Sequence, residues 1–195
     1  SKTLLDKIDK LLDWTSKTLD DINEVAVSTG PGSFTGVRIA IATVKGLFFS
    51  REVLIYSINE LDALAFQLNI NNEKIVSLID SRKEKIYYCI SETANNKINI
   101  LEEYAVSKLD NLLEKLVSTG ETYYFTGDGA FNYKEKIENA LKEKVKFPLD
   151  SNFKIRASTL ILVRKNYPLT DIYGLEPYYL EKSQAETEKE MKNGT

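Results

Sequence analysis

Two periodicities of apolar residues alternate along the first third of the chain. Near the N-terminus, five apolar residues recur at helical spacing with charged residues between them, which predicts an amphipathic helix. These residues are Leu4, Leu5, Ile8, Leu11 and Leu12. Residues 24–28 predict a short strand, and the mostly apolar residues 37–49 predict a long helix. A strand, a glycine-rich turn (residues 30–36) and a helix in this order are typical of an α/β fold.

The pattern then changes to a second block, and we place the change of lobe near residues 69–74. Before it, residues 53–57 predict a strand and Asn59 is a candidate N-cap for a helix. After it, two strand-like runs joined by a short charged turn predict an antiparallel hairpin. The predicted elements of this block are strands at 74–80, 85–91, 98–106 and 123–125, a helix capped by Ser107, and helices at 133–142 and 158–167.

The amino-acid composition limits the kinds of catalytic and metal sites that the chain can contain. The chain has 195 residues, of which 43% are hydrophobic, so it is expected to fold, and its net charge of −3 gives no overall attraction for nucleic acid. No apolar run approaches a membrane span, and the single cysteine, Cys89, fits a reducing cytoplasm. The absence of histidine excludes a Ser-His-Asp relay and every histidine-containing metal site. The sequence predicts no catalytic residue and no metal, and its start at Ser1 suggests a missing N-terminal segment.

Two glycine-containing segments are candidate phosphate or nucleotide sites. In the first, glycines and hydroxyls precede a helix N-terminus, where free N–H groups and the helix dipole attract anions. The second follows a predicted strand, a usual place for ligands in α/β folds. The candidates are Gly30, Gly32, Ser33, Thr35 and Gly36 in the first, and Gly127, Asp128 and Gly129 in the second. The alternative is structural: Ser33 or Thr35 caps the helix, and the glycines allow tight turns.

The helix at residues 37–49 is apolar nearly all round, so one sheet cannot cover it. Either the N-terminal helix covers the remaining face within the same chain, or the two helices together expose an apolar patch used for dimerisation. On the second interpretation the N-terminal apolar residues named above contact a partner together with Val37, Ala40, Ile41, Val44, Leu47 and Phe48.

Four motifs carry a resemblance to a known family. They are GPGSFTGVRIA at residues 30–40, DSRKEKIY at 80–87, GDGA at 127–130 and EPYYLEKSQAE at 176–186. In this order, and over nearly the whole chain, they resemble the bacterial TsaB family, also called YeaZ. The resemblance implies an α/β fold with two ribonuclease H-like lobes, as in the actin-like ATPase and sugar-kinase superfold. The family's first β-hairpin, with its phosphate loop, has no counterpart here. The expected lobes are therefore an incomplete N-terminal one at 1–70 and a C-terminal one at 71–195, whose end returns to the first.

The same resemblance implies a function. TsaB proteins act in synthesis of threonylcarbamoyladenosine beside the tRNA anticodon, as non-catalytic scaffolds and activators of their paralogue, the transferase TsaD. The implied partners are TsaD, the ATPase TsaE, a second copy when the protein is isolated, and tRNA through the complex, with no membrane. ATP or ADP is implied only in the assembled complex. An ATP-binding, phosphotransferase-like enzyme is the alternative function, and a glycoprotease ranks last.

Overall fold

The computed structural model describes residues 2–82, 84–149 and 153–181. Their strands form a two-stranded sheet and a five-stranded sheet, with helices packed against both. The part that builds the first sheet contains α1 (Lys2–Trp14), β1 (Glu24–Gly30), α2 (Phe34–Phe48), β2 (Leu54–Asn59) and α3 (Glu60–Gln67). β1 and β2 pair in parallel, from Glu24 opposite Leu54 to Gly30 opposite Asn59.

The predicted strand, turn and helix are confirmed, and side-chain caps explain where the helices begin. The Ser33 Oγ accepts a hydrogen bond of 3.2 Å from the Gly36 N–H, so α2 begins at Phe34, three residues before its predicted start. The Asn59 Oδ1 accepts one of 2.9 Å from the Leu61 N–H and starts α3 as predicted. In each case a short polar side chain satisfies a backbone donor that the first helical turn leaves free.

The second sheet has the strand order β5-β4-β3-β6-β7. Its strands are β3 (Ile75–Asp80), β4 (Lys85–Ala94), β5 (Lys97–Lys108), β6 (Tyr123–Thr126) and β7 (Val145–Lys146). The predicted antiparallel hairpin is confirmed, since β3 pairs with β4, and β5 extends it on the other side. β6 pairs in parallel with β3, and the two-residue β7 was not predicted.

Helix boundaries in this second part needed correction. The helices are α4 (Leu109–Thr119), α5 (Asp128–Asn132), α6 (Lys134–Leu141) and α7 (Ala157–Val163). Ser107 lies inside β5 and does not cap α4, because the strand continues to Lys108. The expected turn at the GDGA motif opens the short helix α5. The last helix ends earlier than predicted and passes into a 3-10 turn at Arg164–Asn166.

The two faces of the first sheet pack against different helices. One face, with Val27 and Ile55, forms a core with α2, and the other, with Ile58, packs against α3 and α7. The second sheet buries Val76 and Phe125 against α4 and α6. Alternating side chains of a strand point to opposite faces, so β1 and β2 supply both cores of the first sheet.

Residues 169–181, which we call the C-terminal segment, return across the first sheet. The Thr170 N–H donates to the Ile55 carbonyl at 2.8 Å, and Leu169 forms a bridge with Tyr56 of β2. Leu175 is 1% exposed and completes the core under α2. The Tyr178 N–H donates to the Thr29 carbonyl at 2.7 Å, which holds the segment at the end of β1. Residues 182–195, which include the end of the EPYYLEKSQAE motif, lie outside the described residues, and the lobe boundary near residue 70 stays a prediction.

Candidate functional site

The glycine-rich turn lies directly beneath the C-terminal segment. Gly30 has φ +110°, and a Cβ there would lie 2.8 Å from the Tyr178 carbonyl oxygen, so only glycine fits. Pro31 follows through a cis peptide bond and is buried. The Gly36 N–H, which lies in the first turn of α2, already donates to the Ser33 Oγ. The capping role of Ser33 is therefore confirmed, whereas Thr35 is exposed at the start of α2.

A carboxylate stands beside this turn. The Glu60 Oε2 accepts a hydrogen bond of 2.8 Å from the Ser28 Oγ and lies 3.7 Å from the point where a Cβ on Gly32 would be. Burial raises the pKa of Glu60, and the negative charge of Asp128 adds to this effect. The second candidate segment thus lies within electrostatic reach of the first. An ionised Glu60 beside the turn would repel an anion such as a phosphate.

The segment 127–129 is held by contacts within the second sheet. Gly127 has φ +94°, and a Cβ there would overlap the Leu78 carbonyl oxygen. The Asp128 Oδ1 accepts a hydrogen bond of 3.0 Å from the Asp80 N–H, and burial raises the pKa of Asp128. Asp80 in turn accepts from the Tyr133 hydroxyl at 3.2 Å. These interactions account for the motif structurally, and binding of a nucleotide there stays a prediction.

Metal ligands are not grouped here: across 2–82, 84–149 and 153–181, no three or more Cys, Asp or Glu side chains are placed to hold a metal ion. No helix in those ranges combines the length and the apolar character needed to cross a bilayer.

The structure corrects four residues of the predicted partner surface. They pack against the chain's own sheet at i, i+4, i+7 and i+11 of α2, with 6–9% of each side chain exposed. They are Val37, Ile41, Val44 and Phe48. Ala40 and Leu47 are half-buried against the same core. Buried side chains have no surface left for a partner, so any docking through α2 has to use another face.

That other face forms an apolar groove with α1, which we call the α1/α2 groove. It has a volume of about 360 Å³. Its walls are Leu5, Ile39, Ala42, Thr43, Gly46 and Leu47. The α2 residues at 39, 42, 43 and 46 follow the i, i+3, i+4, i+7 spacing of one helical stripe. The buried residues form a second apolar stripe with the same period, so the sequence pattern does not say which of the two stripes faces the sheet.

α1 covers the groove on one flank and leaves much of its own apolar surface in solvent. Leu4, Ile8 and Leu12 are half-buried, whereas Leu5 is 43% and Leu11 is 58% exposed. Trp14, which ends α1 and was not among the predicted partner residues, is 82% exposed. Of the two alternatives, complete cover by α1 within the chain is wrong, because α1 lies beside α2 and the two helices together present an apolar patch. The use of this patch for dimerisation stays a prediction.

The C-terminal segment covers the start of α2 through aromatic contacts. The rings of Phe34 and Tyr179 stack with centroids 4.3 Å apart, and the Arg38 guanidinium lies 4.2 Å from the centre of the Phe34 ring. The Arg38 Nε donates to the Tyr179 hydroxyl at 2.8 Å. The polar interruption of α2 at Arg38 is thereby explained within the chain.

Sequence reasoning missed a buried polar cluster between the two sheets. Asp62 on α3 is 5% exposed and accepts hydrogen bonds from the hydroxyls of Tyr104 on β5, at 2.8 Å, and of Tyr167. Among the residues that the structure describes, none forms a hydrogen bond with its Oδ1. Burial raises the pKa of Asp62 against the opposing effect of the two hydroxyls. An acidic residue at a helical position facing apolar neighbours was the one signal available in the sequence.

Comparisons with known proteins agree with this architecture. The family model described as TsaD: tRNA N6-adenosine threonylcarbamoyltransferase matches residues 1–187. The tRNA threonylcarbamoyladenosine biosynthesis protein TsaB of Bacillus subtilis is 28% identical over 166 residues, which cover 85% of this chain and 72% of that protein. The TsaB of Buchnera aphidicola subsp. Schizaphis graminum is 31% identical over 152 residues, covering 74% and 71%.

Solved structures show the same fold. A crystal structure described as an uncharacterized protein with similarity to peptidase YEAZ from Pseudomonas aeruginosa superposes with a TM-score of 0.74 at 22% identity, covering 93% of this chain and 84% of that one. A second, described as YeaZ from Pseudomonas aeruginosa, superposes with a TM-score of 0.70 at 22% identity, covering 92% and 84%.

Two sheets with helices packed against them, together with these structural neighbours, define an α/β protein of the actin-like, ribonuclease H-like class. Within the family of the matched TsaD model, the chain belongs to the TsaB (YeaZ) proteins.

Proposed function

We propose that this chain acts in tRNA threonylcarbamoyladenosine biosynthesis as a non-catalytic subunit that docks the transferase TsaD through the α1/α2 groove. The observation that carries the proposal is the apolar stripe of α2 opposite its buried face, which α1 borders without closing. Membership of the TsaB family supports the pathway, and the TsaD paralogue is the occupant to which we commit the groove.

The energetics of the exposed surface favour a protein partner. Contiguous apolar surface on a single chain commonly marks an interaction site, because its burial removes the surface from water. No described side chain of α1 is fully buried, so the helix gains little from packing on its own chain. A partner that covers Leu5, Leu11 and Trp14 would stabilise α1 and the complex together.

The remaining assignments follow from this assembly. In isolation a second copy takes the place of TsaD, TsaE joins the complex, and tRNA is contacted through its partners. ATP or ADP binds only in the complex, and the location is cytoplasmic, where tRNA is modified. The absence of histidine supports a non-catalytic role, since the chain has no imidazole acid, base or metal ligand.

Size-exclusion chromatography with purified TsaD from the same genome tests the docking. The wild-type protein is expected to co-elute with TsaD at micromolar concentrations. Ala42→Asp, which puts a charge into the groove, is expected to abolish co-elution, because an unpaired buried charge costs roughly 3–5 kcal/mol. Ala157→Asp adds the same charge at an exposed position on α7 and is the matched control. Co-elution of Ala42→Asp as strongly as the control would refute docking through the groove.

The alternative, an ATP-binding phosphotransferase, has less support. The Gly36 N–H is occupied by Ser33, and Glu60 lies against the turn that would hold a phosphate. Titration calorimetry of the isolated protein with ATP and magnesium tests this function separately. Tight binding would favour the enzyme, whereas no binding together with co-elution with TsaD would favour the scaffold.

A further inference from the structure

A second cavity lies at the carboxyl ends of the parallel strands β1 and β2, away from the α1/α2 groove. Its volume is about 290 Å³. Thr29 comes from the end of β1, Ser57 from β2 and Tyr104 from β5, while Glu176 and Tyr178 of the C-terminal segment and Tyr167 complete the wall. The carboxyl ends of parallel strands are where α/β proteins commonly bind ligands.

Two of the tyrosine hydroxyl groups that line this cavity use their protons in hydrogen bonds to a carboxylate outside it. The Tyr104 and Tyr167 hydroxyls both donate to the Asp62 carboxylate behind the wall. The pKa of each phenol is raised by burial and by the charge of Asp62, so both keep their protons. Their oxygens therefore present lone pairs, one of which, on Tyr167, accepts from the Asn59 N–H at 3.3 Å.

The hydroxyl groups of Thr29 and Ser57 can also use their protons within the protein. Their hydroxyls lie 2.9 Å apart, and the Thr29 Oγ1 is 3.4 Å from the Ile58 carbonyl oxygen. When Ser57 donates to Thr29 and Thr29 donates to Ile58, both protons are used within the wall. The donor groups of the lining are the amide nitrogen of Asn59, whose Oδ1 accepts from the Leu61 N–H, and the hydroxyl of Tyr178 at the exposed rim.

The charge and the aromatic rings at the rim of the cavity favour a cationic ligand. The Tyr104 and Tyr178 rings meet edge to face, with centroids 5.9 Å apart, and Glu176 adds an exposed carboxylate at the rim. In the described part of the chain, no lysine or arginine lines the cavity. Aromatic faces attract cations, and lone pairs require a hydrogen-bond donor.

We propose that this cavity binds a small organic amine in its ammonium form, with N–H groups donating to the acceptor-rich wall and the cation lying against the tyrosine rings beside Glu176. The site is distinct from the α1/α2 groove, so amine binding can be tested on the isolated chain without TsaD.

Titration of the full chain with n-butylammonium chloride tests this site, with n-butanol as the neutral analogue of the same size. Isothermal titration calorimetry at constant ionic strength is expected to give a Kd of about 1–10 mM for the amine, which is ordinary for so small a ligand. Butanol is expected to bind at least about tenfold more weakly, a difference of ~1.4 kcal/mol. Equal binding of the two, or no binding of the amine, overturns the proposal.

Variants at the rim locate the binding. Glu176→Gln is expected to weaken amine binding about threefold to fivefold, the usual range for a solvent-exposed charge. Tyr178→Leu, which keeps the backbone bond to Thr29, removes one aromatic face and is expected to weaken it similarly. Glu52→Gln, at the opposite end of β2, is the matched control and should leave the Kd unchanged. Loss of affinity in the control equal to that in Glu176→Gln would contradict binding at this cavity.

The amine could be a free metabolite or the side chain of a partner's lysine. A lysine capped at both backbone ends distinguishes these sources, because it carries the same ammonium on a peptide. Binding at least as tight as that of butylammonium supports a lysyl side chain, and clearly weaker binding supports a free amine. Trimethylbutylammonium, which has no N–H donor, is expected to bind more weakly than butylammonium, and equal binding would overturn the hydrogen-bonded form of the proposal.

Discussion

Asp62 shows at the scale of one residue how a buried carboxylate connects the two sheets. It lies on α3, and its two hydrogen-bond donors come from β5 and from the segment after α7. Its unpartnered Oδ1 keeps part of the desolvation cost uncompensated. The cluster therefore joins distant parts of the chain and makes the free energy of unfolding depend on pH.

Replacing Asp62 by Asn tests this. Since the folded-state pKa of Asp62 is raised above its ordinary value of 3.8, the folded state binds more protons than the unfolded state in the window just above that value. The contribution of Asp62 to the free energy of unfolding is then lost as pH rises through the folded pKa. We expect wild type to gain stability relative to Asp62→Asn as pH falls from about 7 to about 4. Urea unfolding at several pH values measures the difference, and a constant difference would contradict the raised pKa.

At Gly127, as at Gly30, the backbone conformation and a close neighbouring carbonyl oxygen require glycine. Gly127→Ala combines a positive φ with overlap of the Leu78 carbonyl oxygen, so we expect a loss of at least ~2 kcal/mol in the free energy of unfolding. Gly120→Ala is the matched control, because Gly120 also has a positive φ, +64°, but open space around it. The control should lose only about 1 kcal/mol, the cost of the left-handed conformation. Equal losses in chemical denaturation would show that the close approach at Gly127 is unimportant.

At the scale of one element, α2 serves two purposes with two faces. Its buried stripe holds the first sheet, and its opposite stripe forms the α1/α2 groove. Nearly continuous apolar sequence hid this division, because period and composition alone could not say which residues face the sheet. The division is open to a stability measurement.

Ile41→Ala and Ile39→Ala make that measurement. Ile41 is in the core, so its truncation is expected to lower the free energy of unfolding by roughly 2–4 kcal/mol. Ile39 lies in the groove, and the same truncation is expected to cost less than about 1 kcal/mol. Thermal or urea unfolding compares the two variants, which carry the same Ile→Ala truncation. A larger loss at Ile39 than at Ile41 would reverse the assignment of the two faces.

At the scale of the whole molecule, the C-terminal segment ties the last described residues to the first sheet. Leu175 enters the core under α2, and Tyr178 bonds to the end of β1. The same segment lies over the glycine-rich turn and forms one wall of the cavity at the carboxyl ends of β1 and β2. Stability of the first sheet and access to the cavity are therefore coupled through about a dozen residues.

Leu175→Ala is expected to lower the free energy of unfolding by about 2–5 kcal/mol, the usual cost of a large-to-small change in a core. Tyr173→Ala, in the same segment but 69% exposed, is the matched control and should cost less than about 1 kcal/mol. Denaturant unfolding followed by tyrosine fluorescence measures both. A loss below ~1 kcal/mol for Leu175→Ala would show that the segment is not part of the cooperative core.

The element types were largely predictable because they depend on local periodicity. The first strand, the glycine-rich turn with its Ser33 cap, the α3 cap at Asn59 and the β3/β4 hairpin all follow from residues close in sequence. Ser107 failed as a cap because pairing of β5 with β4 continues through it. The short helix α5 was missed because glycines on either side of Asp128 are equally typical of a turn.

The amino-acid sequence by itself determined the α/β class, most of the elements and, through its motifs, the family. These are properties of short stretches, and neighbours along the chain are sufficient to specify them. Only the tertiary structure decided which face of α2 is buried, what surrounds Asp62 and where the C-terminal segment packs. Each of these depends on residues far apart in sequence, as in the bond between Tyr167 and Asp62 across 105 positions, and no local pattern encodes such a contact.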